Sequence, residues 1–483
     1  MLPLNFISSS KLISYHIMEK NTCIVMVPCP GLSHLIPLVE FAKRLVQHDH
    51  HKLHVTFLIP SLGPPSSSMM AILNDLPPDI DFTILNQINI EDLPQNIHPA
   101  PKMRLTVKLS IPFLHEAVSS LSSRTHLVAL VFDMFSVDAI DVAKQFNLLS
   151  YVFFASGATT LSFCLSLPKL HESVSFTEVT KTVNVPGCVV PFQVKDLPDP
   201  LPCESTSENL ISYVDICRIL SLVDGLIVNS FLDLESGAIR ALQVNENSPR
   251  VYPVGPIIQI KSASNENQWE CIEWLNKHPP KSVLYVSFGS GGTLSQDQLN
   301  ELAFGLELSG HKFLWVVRAP NNSPSSAYLI GQKEDQLNYL PSGFLDRTKG
   351  RGLVVSSWAP QIEVLGHGST GAFLSHCGWN SILESVVCGM PMIVWPLFAE
   401  QRMNAVTVTE VLKVAVKPKV DDESGIIKRE EIVKVIKRIM EGDQGFEIRK
   451  RIKDLSDAAG AALREHGSSR RALSSLVLKW QKI

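Results

Sequence analysis

The chain has 483 residues, of which 45% are hydrophobic and 19% are charged, and its formal net charge is −4. This length exceeds what one hydrophobic core usually serves, so we expect two or three compact units. The slightly acidic balance and the lack of a long basic run argue against nucleic acid as a partner, because binding to a phosphate backbone requires a positively charged face.

Nine cysteines are scattered along the chain without a CxxC pair. This pattern fits neither a disulfide framework nor a zinc ribbon, and it indicates reduced core cysteines in a cytoplasmic protein. No apolar run approaches the roughly 18 residues that a membrane span needs. Residues 1–17 carry Lys11 in mid-stretch and lack a cleavage site of the A-x-A type, so we interpret them as a loose extension, with Met18 as an alternative start.

Short apolar runs alternate with amphipathic stretches in the first half, a pattern typical of strands and helices wound into a parallel sheet. The predicted strands are CIVMVP (23–28), VTFLI (55–59), FTIL (82–85), LVALVF (127–132), YVFF (151–154) and GLIVNS (225–230). Between the first two, residues 35–46 place Leu38, Phe41 and Leu45 on one helical face. The order of elements within residues 165–222 is not assigned, apart from a helix over ISYVDICRILSLV.

The segment VYPVGPI (251–257) contains two prolines and a glycine and precedes a polar stretch, which predicts a domain boundary. Alternation then restarts with the predicted strands VLYVSF (283–288), FLWVV (313–317), LVV (353–355), GAFLS (371–375) and MIVW (392–395). The predicted helices are residues 295–308, 432–441, 448–463 and 471–481. We therefore expect a second doubly wound α/β unit, with the polar insert 319–336 as a surface loop.

Two parallel sheets that face each other leave a crevice at the carboxyl ends of their strands, where open α/β sheets bind ligands. His34 follows the first predicted strand and Asp133 follows the fourth. Each residue alone has an ordinary explanation, as a helix-start residue and a helix cap. If the two strands are neighbours, Asp133 would fix the tautomer of His34 and stabilise its charged form, leaving the other ring nitrogen to accept a proton.

A glycine-rich turn, GSGGTLSQDQ, follows VLYVSF and opens a predicted helix. Backbone N–H groups there could hold an anion, with Ser290 as a side-chain donor. The turn matches neither the Walker pattern nor G-x-G-x-x-G, and its glycines could equally serve a tight bend.

The stretch LSHCGWNSILES (374–385) offers two explanations for one helix start. Ser381 and Glu384 match the S-x-x-E capping box, which needs no ligand. However, His376, Asn380 and Ser381 provide more hydrogen-bond donors than capping uses, and donors at a helix N-terminus suit a diphosphate.

The 44 residues from Trp358 to Gln401 resemble the signature of plant secondary-product UDP-glycosyltransferases, with the opening WAPQ, the centre HCGWNS and the closing EQ intact. The segments PGLSHLIPLVEFAKRL, LPKLHESV, SFGSGGTLSQDQLNELA, LPSGFLDRTKGRG and EQRMNAV are similar to the hydroquinone and phenol glucosyltransferase branch. The resemblance implies a GT-B fold of two Rossmann-like domains around a cleft. It implies an N-terminal acceptor domain (18–255), a linker (256–280), a C-terminal UDP-sugar domain (281–465) and a final helix (466–483) that packs back on the first domain.

The resemblance also assigns roles to side chains. His34 would be the general base and Asp133 its partner. The residues implied for the donor site are Trp358 on the uracil ring, Gln361 and Glu384 on the ribose, His376, Asn380, Ser381 and Ser290 on the phosphates, Trp379 behind the sugar, Glu400 and Gln401 on the sugar hydroxyls, and Ala359 and Gly378 beside them. Glutamine at the last position resembles members that use glucose.

These roles predict an inverting transfer of glucose from UDP-glucose to a phenolic hydroxyl, with no metal. We also expect the chain to be a monomer. Phe135 and Ser156 are predicted to line the acceptor pocket. The motif Asp79-Ile-Asp81 matches the D-x-D of metal-dependent glycosyltransferases, but it precedes a strand rather than following one, and a solvated strand entry explains it. The alternatives are a non-catalytic binder of UDP-sugars or phenolics and a nicotinamide-dependent oxidoreductase, which lacks its glycine fingerprint after the first strand.

Overall fold

The computed structural model describes residues 22–48, 53–89, 99–245, 248–259, 266–323 and 336–482. The predicted extension (1–17) and most of the predicted surface loop (319–336) lie outside the described residues. The strands of the first half are β1 (Thr22–Val27), β2 (Leu53–Ile59), β3 (Ile80–Ile84), β4 (His126–Asp133), β5 (Leu149–Phe154), β6 (Thr182–Val183), β7 (Phe192–Gln193), β8 (Gly225–Val228) and β9 (Arg250–Pro253). Those of the second half are β10 (Val283–Ser287), β11 (Lys312–Val317), β12 (Gly352–Ser356), β13 (Thr370–Ser375), β14 (Met392–Val394) and β15 (Ala415–Val416).

Helices separate most of these strands. In the first half they are α1 (Leu32–Val46), α2 (Ser67–Asn74), α3 (Pro99–Arg124), α4 (Ile140–Gln145), α5 (Ala158–Ser173), α6 (Glu208–Ile219) and α7 (Ser236–Val244). In the second half they are α8 (Glu266–Leu275), α9 (Gln296–Ser309), α10 (Phe344–Arg347), α11 (Gln361–Gly366), α12 (Trp379–Val387), α13 (Gln401–Val406), α14 (Arg429–Met440), α15 (Asp443–Leu463) and α16 (Ser468–Trp480). Short 3-10 turns cover Met134–Ala139, Val194–Asp196 and Gln336–Tyr339, and one π turn covers Thr407–Val411.

The chain forms two parallel sheets, as predicted. The first has the order β3-β2-β1-β4-β5-β8-β9 and the second the order β12-β11-β10-β13-β14-β15. In each sheet the strand order reverses at one point, between β1 and β4 in the first sheet and between β10 and β13 in the second. Open α/β sheets leave their ligand crevice at such a point, so residues that follow these four strands are placed for function.

Buried aliphatic and aromatic side chains cover both faces of the first sheet, and the second sheet is covered in the same way. This explains why the strands show as nearly continuous apolar runs in the sequence. The final helix α16 packs on the first sheet, where Trp480 is fully buried and its ring lies edge-on to that of Tyr151 at 5.3 Å. No helix among the described residues is both long and apolar enough to span a membrane.

The predicted linker (256–280) needs correction, whereas every strand of the first sheet lies within residues 18–255. The segment that begins VYPV is the outermost strand of the first sheet, because Arg250–Pro253 pairs with β8 in parallel register. The expected linker 256–280 contains the helix Glu266–Leu275, whose Cys271 and Leu275 are buried in the core of the second sheet. The helix Glu266–Leu275 therefore belongs structurally to the second unit.

Candidate active site

His34 and Asp133 meet where the first sheet reverses. His34 lies in the first turn of α1, just after β1, and Asp133 ends the neighbouring strand β4. His34 Nδ1 lies 2.8 Å from Asp133 Oδ2, and the two side chains are 17% and 2% exposed. The other carboxylate oxygen accepts the backbone N–H of Phe135 at 2.9 Å. A carboxylate only accepts, so Nδ1 carries the proton and Nε2 keeps its lone pair.

The surroundings raise the basicity of the imidazole. Burial lowers the pKa of His34, but the charge and hydrogen bond of Asp133, together with the charge of Glu400, outweigh burial and leave the pKa above its ordinary value. Burial raises the pKa of Asp133, and His34 and the Phe135 N–H bring it below its ordinary value. The pair can therefore store a proton on His34 while Asp133 stays ionised.

His376 lies at the reversal point of the second sheet. It directly follows β13 and lies next to the turn that follows β10. Its ring lies between two glycines: a Cβ on Gly289 would lie 2.5 Å from Cε1, and one on Gly378 would lie 2.5 Å from Nε2. Burial first, and the positive charge of Arg318 second, lower the pKa of His376 to about 4. His376 is therefore neutral near pH 7 and offers one N–H donor. Its Nδ1 is buried without a hydrogen-bond partner among the described residues.

The helix α12 begins at Trp379 and its N-cap is Gly378, with no side chain capping it. The capping-box interpretation of Ser381 and Glu384 is therefore wrong. Both side chains accept hydrogen bonds from Gln361 Nε2, at 2.9 Å to Ser381 Oγ and 2.6 Å to Glu384 Oε2. The first-turn N–H groups of α12 are left for another acceptor.

Glu384 has an altered proton affinity. Burial raises the pKa of its carboxyl to about 7, against the opposing hydrogen bond from Gln361 and with a smaller contribution from the charge of Glu363. Gln361 also contacts Tyr285, whose hydroxyl donates to Oε1 at 3.4 Å. The two residues that the resemblance assigns to ribose are thus joined in one hydrogen-bonded group.

Trp358 lies between β12 and α11, in a loop where Ser357 has φ 66° and the Trp358 N–H donates to Ser356 O at 2.7 Å. Ala359 is 4% exposed beside it. Arg318 holds this loop against the glycine turn, donating to Ser357 O at 2.8 Å and to Gly289 O at 3.1 Å. Sequence reasoning missed Arg318, although it directly follows β11 and the rule that selected the other residues would have found it.

The glycine turn differs from the prediction. Gly289 has φ 72°, and Ser290 is exposed. The next helix, α9, begins only at Gln296 and is capped by Ser295, whose Oγ accepts the N–H of Gln298 at 3.3 Å. The glycine turn therefore does not lead directly into α9. An anion bound at this turn would be held by the backbone N–H groups of the turn and not by those of the helix.

Side chains near α12 join the two domains. Trp379 is 3% exposed and donates from Nε1 to Asn229 O at 2.7 Å. Asn380 donates from Nδ2 to Ser33 O, next to His34, at 3.1 Å. Oδ1 of Asn380 is buried without a partner among the residues described. Trp379 is thus engaged in an interdomain contact, and the amide of Asn380 is partly used by the first domain.

Glu400 and Gln401 end the signature at the start of α13. Gln401 is 3% exposed, and its Oε1 accepts the N–H groups of Leu397 and Phe398 at 2.8 and 3.1 Å. Burial raises the pKa of Glu400 despite the backbone hydrogen bond and the charge of His34. Ser156 donates to Glu400 Oε1 at 3.3 Å, which links the first domain to the second.

Two remaining predictions concern the acceptor side and a metal. Phe135 packs edge-on to the His34 ring at 5.5 Å, within an apolar group that includes Met103 and Val107. Asp81 lies within β3, and its 58% exposed side chain contacts His54 Nε2 at 3.0 Å. This agrees with a solvated sheet edge and places the D-x-D motif away from the carboxyl ends of the strands.

The two sheets, with a basic imidazole at one reversal point and anion-compatible helix and turn donors at the other, fit a transferase whose leaving group is an anion. Residues 251–444 match the family described as UDP-glucoronosyl and UDP-glucosyl transferase. The chain is 47% identical over 469 residues to hydroquinone glucosyltransferase from Rauvolfia serpentina, covering 96% of this chain and 99% of that one. It is 45% identical over 471 residues to UDP-glycosyltransferase 72B1 from Arabidopsis thaliana, covering 96% and 97%.

Solved structures agree. A UDP-glucosyltransferase from Polygonum tinctorium, capable of glucosylating indoxyl, matches with a TM-score of 0.88 and 45% identity over 96% of this chain and 99% of that one. UGT2 from Phytolacca americana, complexed with UDP-2-fluoro-glucose and pterostilbene, matches with a TM-score of 0.87 and 44% identity over 95% and 100%. The chain belongs to the UDP-glycosyltransferase family and is a glycosyltransferase with the GT-B fold, which confirms the resemblance.

Proposed function

We propose that this glycosyltransferase moves glucose from UDP-glucose to the hydroxyl oxygen of a phenolic acceptor, with inversion at the anomeric carbon and without a metal. The observation that carries the proposal is the contact between His34 and Asp133 beside the donor residues of the second domain. Asn380 reaches the backbone next to His34 at 3.1 Å. The base and the donor site therefore share one crevice.

Proton transfer explains the acceptor half of the reaction. As the phenolic oxygen attacks the anomeric carbon, its proton moves to Nε2 of His34, and Asp133 stabilises the imidazolium that results. General-base assistance of this kind is worth roughly 10²–10⁴-fold. Attack on the face opposite to UDP breaks the bond between the sugar and the diphosphate, so an α-linked donor gives a β-glucoside and UDP.

The leaving diphosphate is stabilised at the start of α12. This helix has nine residues from Trp379 to Val387, and its first-turn N–H groups and dipole favour an anion. The neutral His376 donates one hydrogen bond to a phosphate oxygen, and Ser290, Asn380 and Ser381 add polar groups. Fixed donors at a buried site stabilise developing charge without reorganisation, which is the work a metal would do elsewhere.

The nucleoside and sugar contacts follow the same arrangement. Trp358 stacks on the uracil ring beside Ala359, and Gln361 and Glu384 accept hydrogen bonds from the ribose hydroxyls. Gln401 keeps Nε2 for a sugar hydroxyl, because its oxygen holds the preceding loop. Glu400, whose charge acts on His34, would accept a hydrogen bond from another sugar hydroxyl.

The acceptor class is supported by the apolar group around Phe135 and by relatives named for hydroquinone and indoxyl glucosylation. Phe135 would stack against an aromatic ring whose hydroxyl points at His34, and Ser156 would lie between acceptor and sugar. We also propose that the chain acts in the cytoplasm, since all nine cysteines are free thiols. That the chain is a monomer stays a prediction.

The test is incubation of the purified chain with UDP-glucose and a panel of phenols, with products identified by mass and by the anomeric coupling in NMR. A β-glucoside that forms equally in the presence of a chelator supports the proposal. Tight UDP-glucose binding without product from any phenol would favour the non-catalytic binder, and activity restored only by Mn²⁺ would contradict metal independence.

A further inference from the structure

Among the described residues, one group of side chains has the ligand types and spacing of a metal site. It comprises Cys29, His34 and Asp133, and one ligand atom from each lies within 4.8 Å of the other two. Cys29 follows β1 and is 3% exposed. Its Sγ also lies 3.8 Å from Met103 Sδ, so a second sulfur borders the group.

We propose that these three side chains form an inhibitory site for a thiophilic divalent cation, with Zn²⁺ as the ion that fits best. One sulfur, one imidazole nitrogen and one carboxylate oxygen, with a fourth position left open, is a ligand set that zinc accepts. A thiolate and a carboxylate together balance the charge of a divalent ion. Hard cations such as Mg²⁺ and Mn²⁺ prefer oxygen ligands, so the sulfur gives selectivity against them.

The geometry requires only a small opening of the pair. His34 Nδ1 and Asp133 Oδ2 are 2.8 Å apart. Zinc bonds of about 2.0 Å in a tetrahedron place such atoms about 3.3 Å apart. For these two atoms the ion would therefore replace the hydrogen bond with a movement of roughly half an ångström, while Cys29 Sγ, which lies within 4.8 Å of both ligand atoms, would come to about 3.5 Å from each. His34 is 17% exposed, which gives the ion a route to the buried thiol.

The protons balance as follows. The Cys29 thiol loses its proton to solvent when the sulfur–zinc bond forms. Nδ1 loses its proton as zinc takes its place, and Nε2 gains one, so the imidazole stays neutral in the opposite tautomer. One proton is released in total. With Nε2 protonated, His34 has no lone pair for the acceptor's proton, and the transfer stops. Zinc binding itself does not depend on the proposed function, whereas inhibition rests on His34 as the base.

The binding test is calorimetric titration of the full chain with ZnCl₂. Cys29→Ser removes the sulfur ligand, and Cys203→Ser, a partly exposed thiol elsewhere, is the matched control. We expect one ion per chain, a loss of at least about tenfold in affinity for Cys29→Ser, and no change for Cys203→Ser. If Cys29→Ser misfolds because of its hydroxyl, Cys29→Ala serves in its place. Equal zinc affinity in the wild type and in the folded Cys29 variant would overturn the proposal.

Two further measurements separate this site from the reaction. Cd²⁺ should give a thiolate-to-metal absorption band in the wild type and in Cys203→Ser that is absent in the Cys29 variant. The Zn²⁺ concentration that halves glucosylation, referred to each variant's own rate, should rise at least about tenfold in the Cys29 variant, and a chelator should reverse the inhibition. If the chain glucosylates phenols but zinc inhibits the wild type and the Cys29 variant equally, the zinc site is refuted and the proposed function is not. Zinc binding through Cys29 in a chain that glucosylates no phenol refutes the proposed function alone.

Discussion

Replacing Asp133 by asparagine tests the proposed base without changing the size of the side chain. In the wild type, one carboxylate oxygen accepts the Phe135 N–H and the other accepts Nδ1–H of His34. The amide oxygen of Asp133→Asn can still accept from Phe135, which turns the amide NH₂ toward Nδ1. That donor favours the tautomer with the proton on Nε2, and this tautomer cannot accept a proton from the phenol.

The expected size follows from the geometry. The imidazolium and carboxylate are in hydrogen-bond contact at 2.8 Å, so their charge centres lie about 4 Å apart. At an effective dielectric constant of about 20, such a pair interacts by about 4 kcal/mol. With about 1.4 kcal/mol for each tenfold change, losing that stabilisation should lower kcat and kcat/KM alike by roughly a thousandfold. Binding of UDP-glucose should change little.

The assay is kcat/KM against pH with one phenol and saturating UDP-glucose. Protonation inactivates a base, so the rate of the wild type falls as pH drops through the pKa of His34, which Asp133 holds above its ordinary value. Without the carboxylate, burial dominates and lowers that pKa, so the acid limb of Asp133→Asn should move to lower pH while the plateau falls.

Asp138→Asn is the matched control, since Asp138 pairs with Arg104 at 2.9 Å and not with a histidine. Its acid limb should stay at the wild-type pH. Thermal unfolding of both variants shows whether either change disturbs the fold. A folded Asp133→Asn protein with the wild-type plateau, or with an acid limb moved to higher pH, would refute the role given to Asp133.

Three other substitutions test the donor side. The pKa of Glu384 is raised to about 7, and its ionised form would accept hydrogen bonds from the ribose, so KM for UDP-glucose should rise as pH falls below about 7. A folded Glu384→Gln enzyme should have a higher KM for UDP-glucose that does not change with pH in this range. Gly289→Ala should raise KM for UDP-glucose, because its Cβ would lie 2.5 Å from the His376 ring. Gly310→Ala is the control: it has φ 73° and nothing within 4 Å of the added Cβ, so it should show only the backbone cost of about 1 kcal/mol in thermal unfolding. Equal KM values for the two variants would count against the placement of the His376 ring. Trp379→Phe should lower stability by about 1–3 kcal/mol in denaturant unfolding, because a buried carbonyl of the first domain loses its donor at 2.7 Å, and an unchanged midpoint would contradict that interdomain bond.

Most strands were predictable because parallel strands buried on both faces must be apolar along their length. The strand Arg250–Pro253 escaped because Pro253, Gly255 and Pro256 mark a turn. A short strand at the edge of a sheet tolerates a proline at its end, since its outer N–H groups need no partner.

The helix Pro99–Arg124 was not predicted, although its buried residues Met103, Val107, Leu114, Val118 and Leu121 recur at helical spacing. Pro112 interrupts that pattern in the sequence, and burial against the first sheet decides the outcome. Local propensity is a weak guide where tertiary packing supplies most of the stability.

The location of the candidate site followed from one rule, that open α/β sheets bind ligands at the carboxyl ends of their strands, and His34, Asp133 and His376 each follow such a strand. Local patterns were less reliable. The S-x-x-E match predicted a cap, but Gln361, twenty residues before Ser381, takes both polar side chains. Gln361 reaches these side chains because the segments that follow β12 and β13 lie next to each other. The spacing of residues along one helix does not predict such a contact.

Two histidines lie in this crevice, and their surroundings separate their proton affinities. Asp133 holds the pKa of His34 above its ordinary value, while burial and Arg318 lower that of His376 to about 4. A group with a pKa of about 4 cannot keep a proton taken from a phenol near neutral pH, so we propose that His376 serves as a fixed donor and not as the base. Divergent pKa values of neighbouring groups assign acid–base roles. Asp133 next to one ring, and burial with Arg318 next to the other, thus give the two histidines opposite pKa shifts, and these shifts support the proposal that His34 reacts and His376 binds.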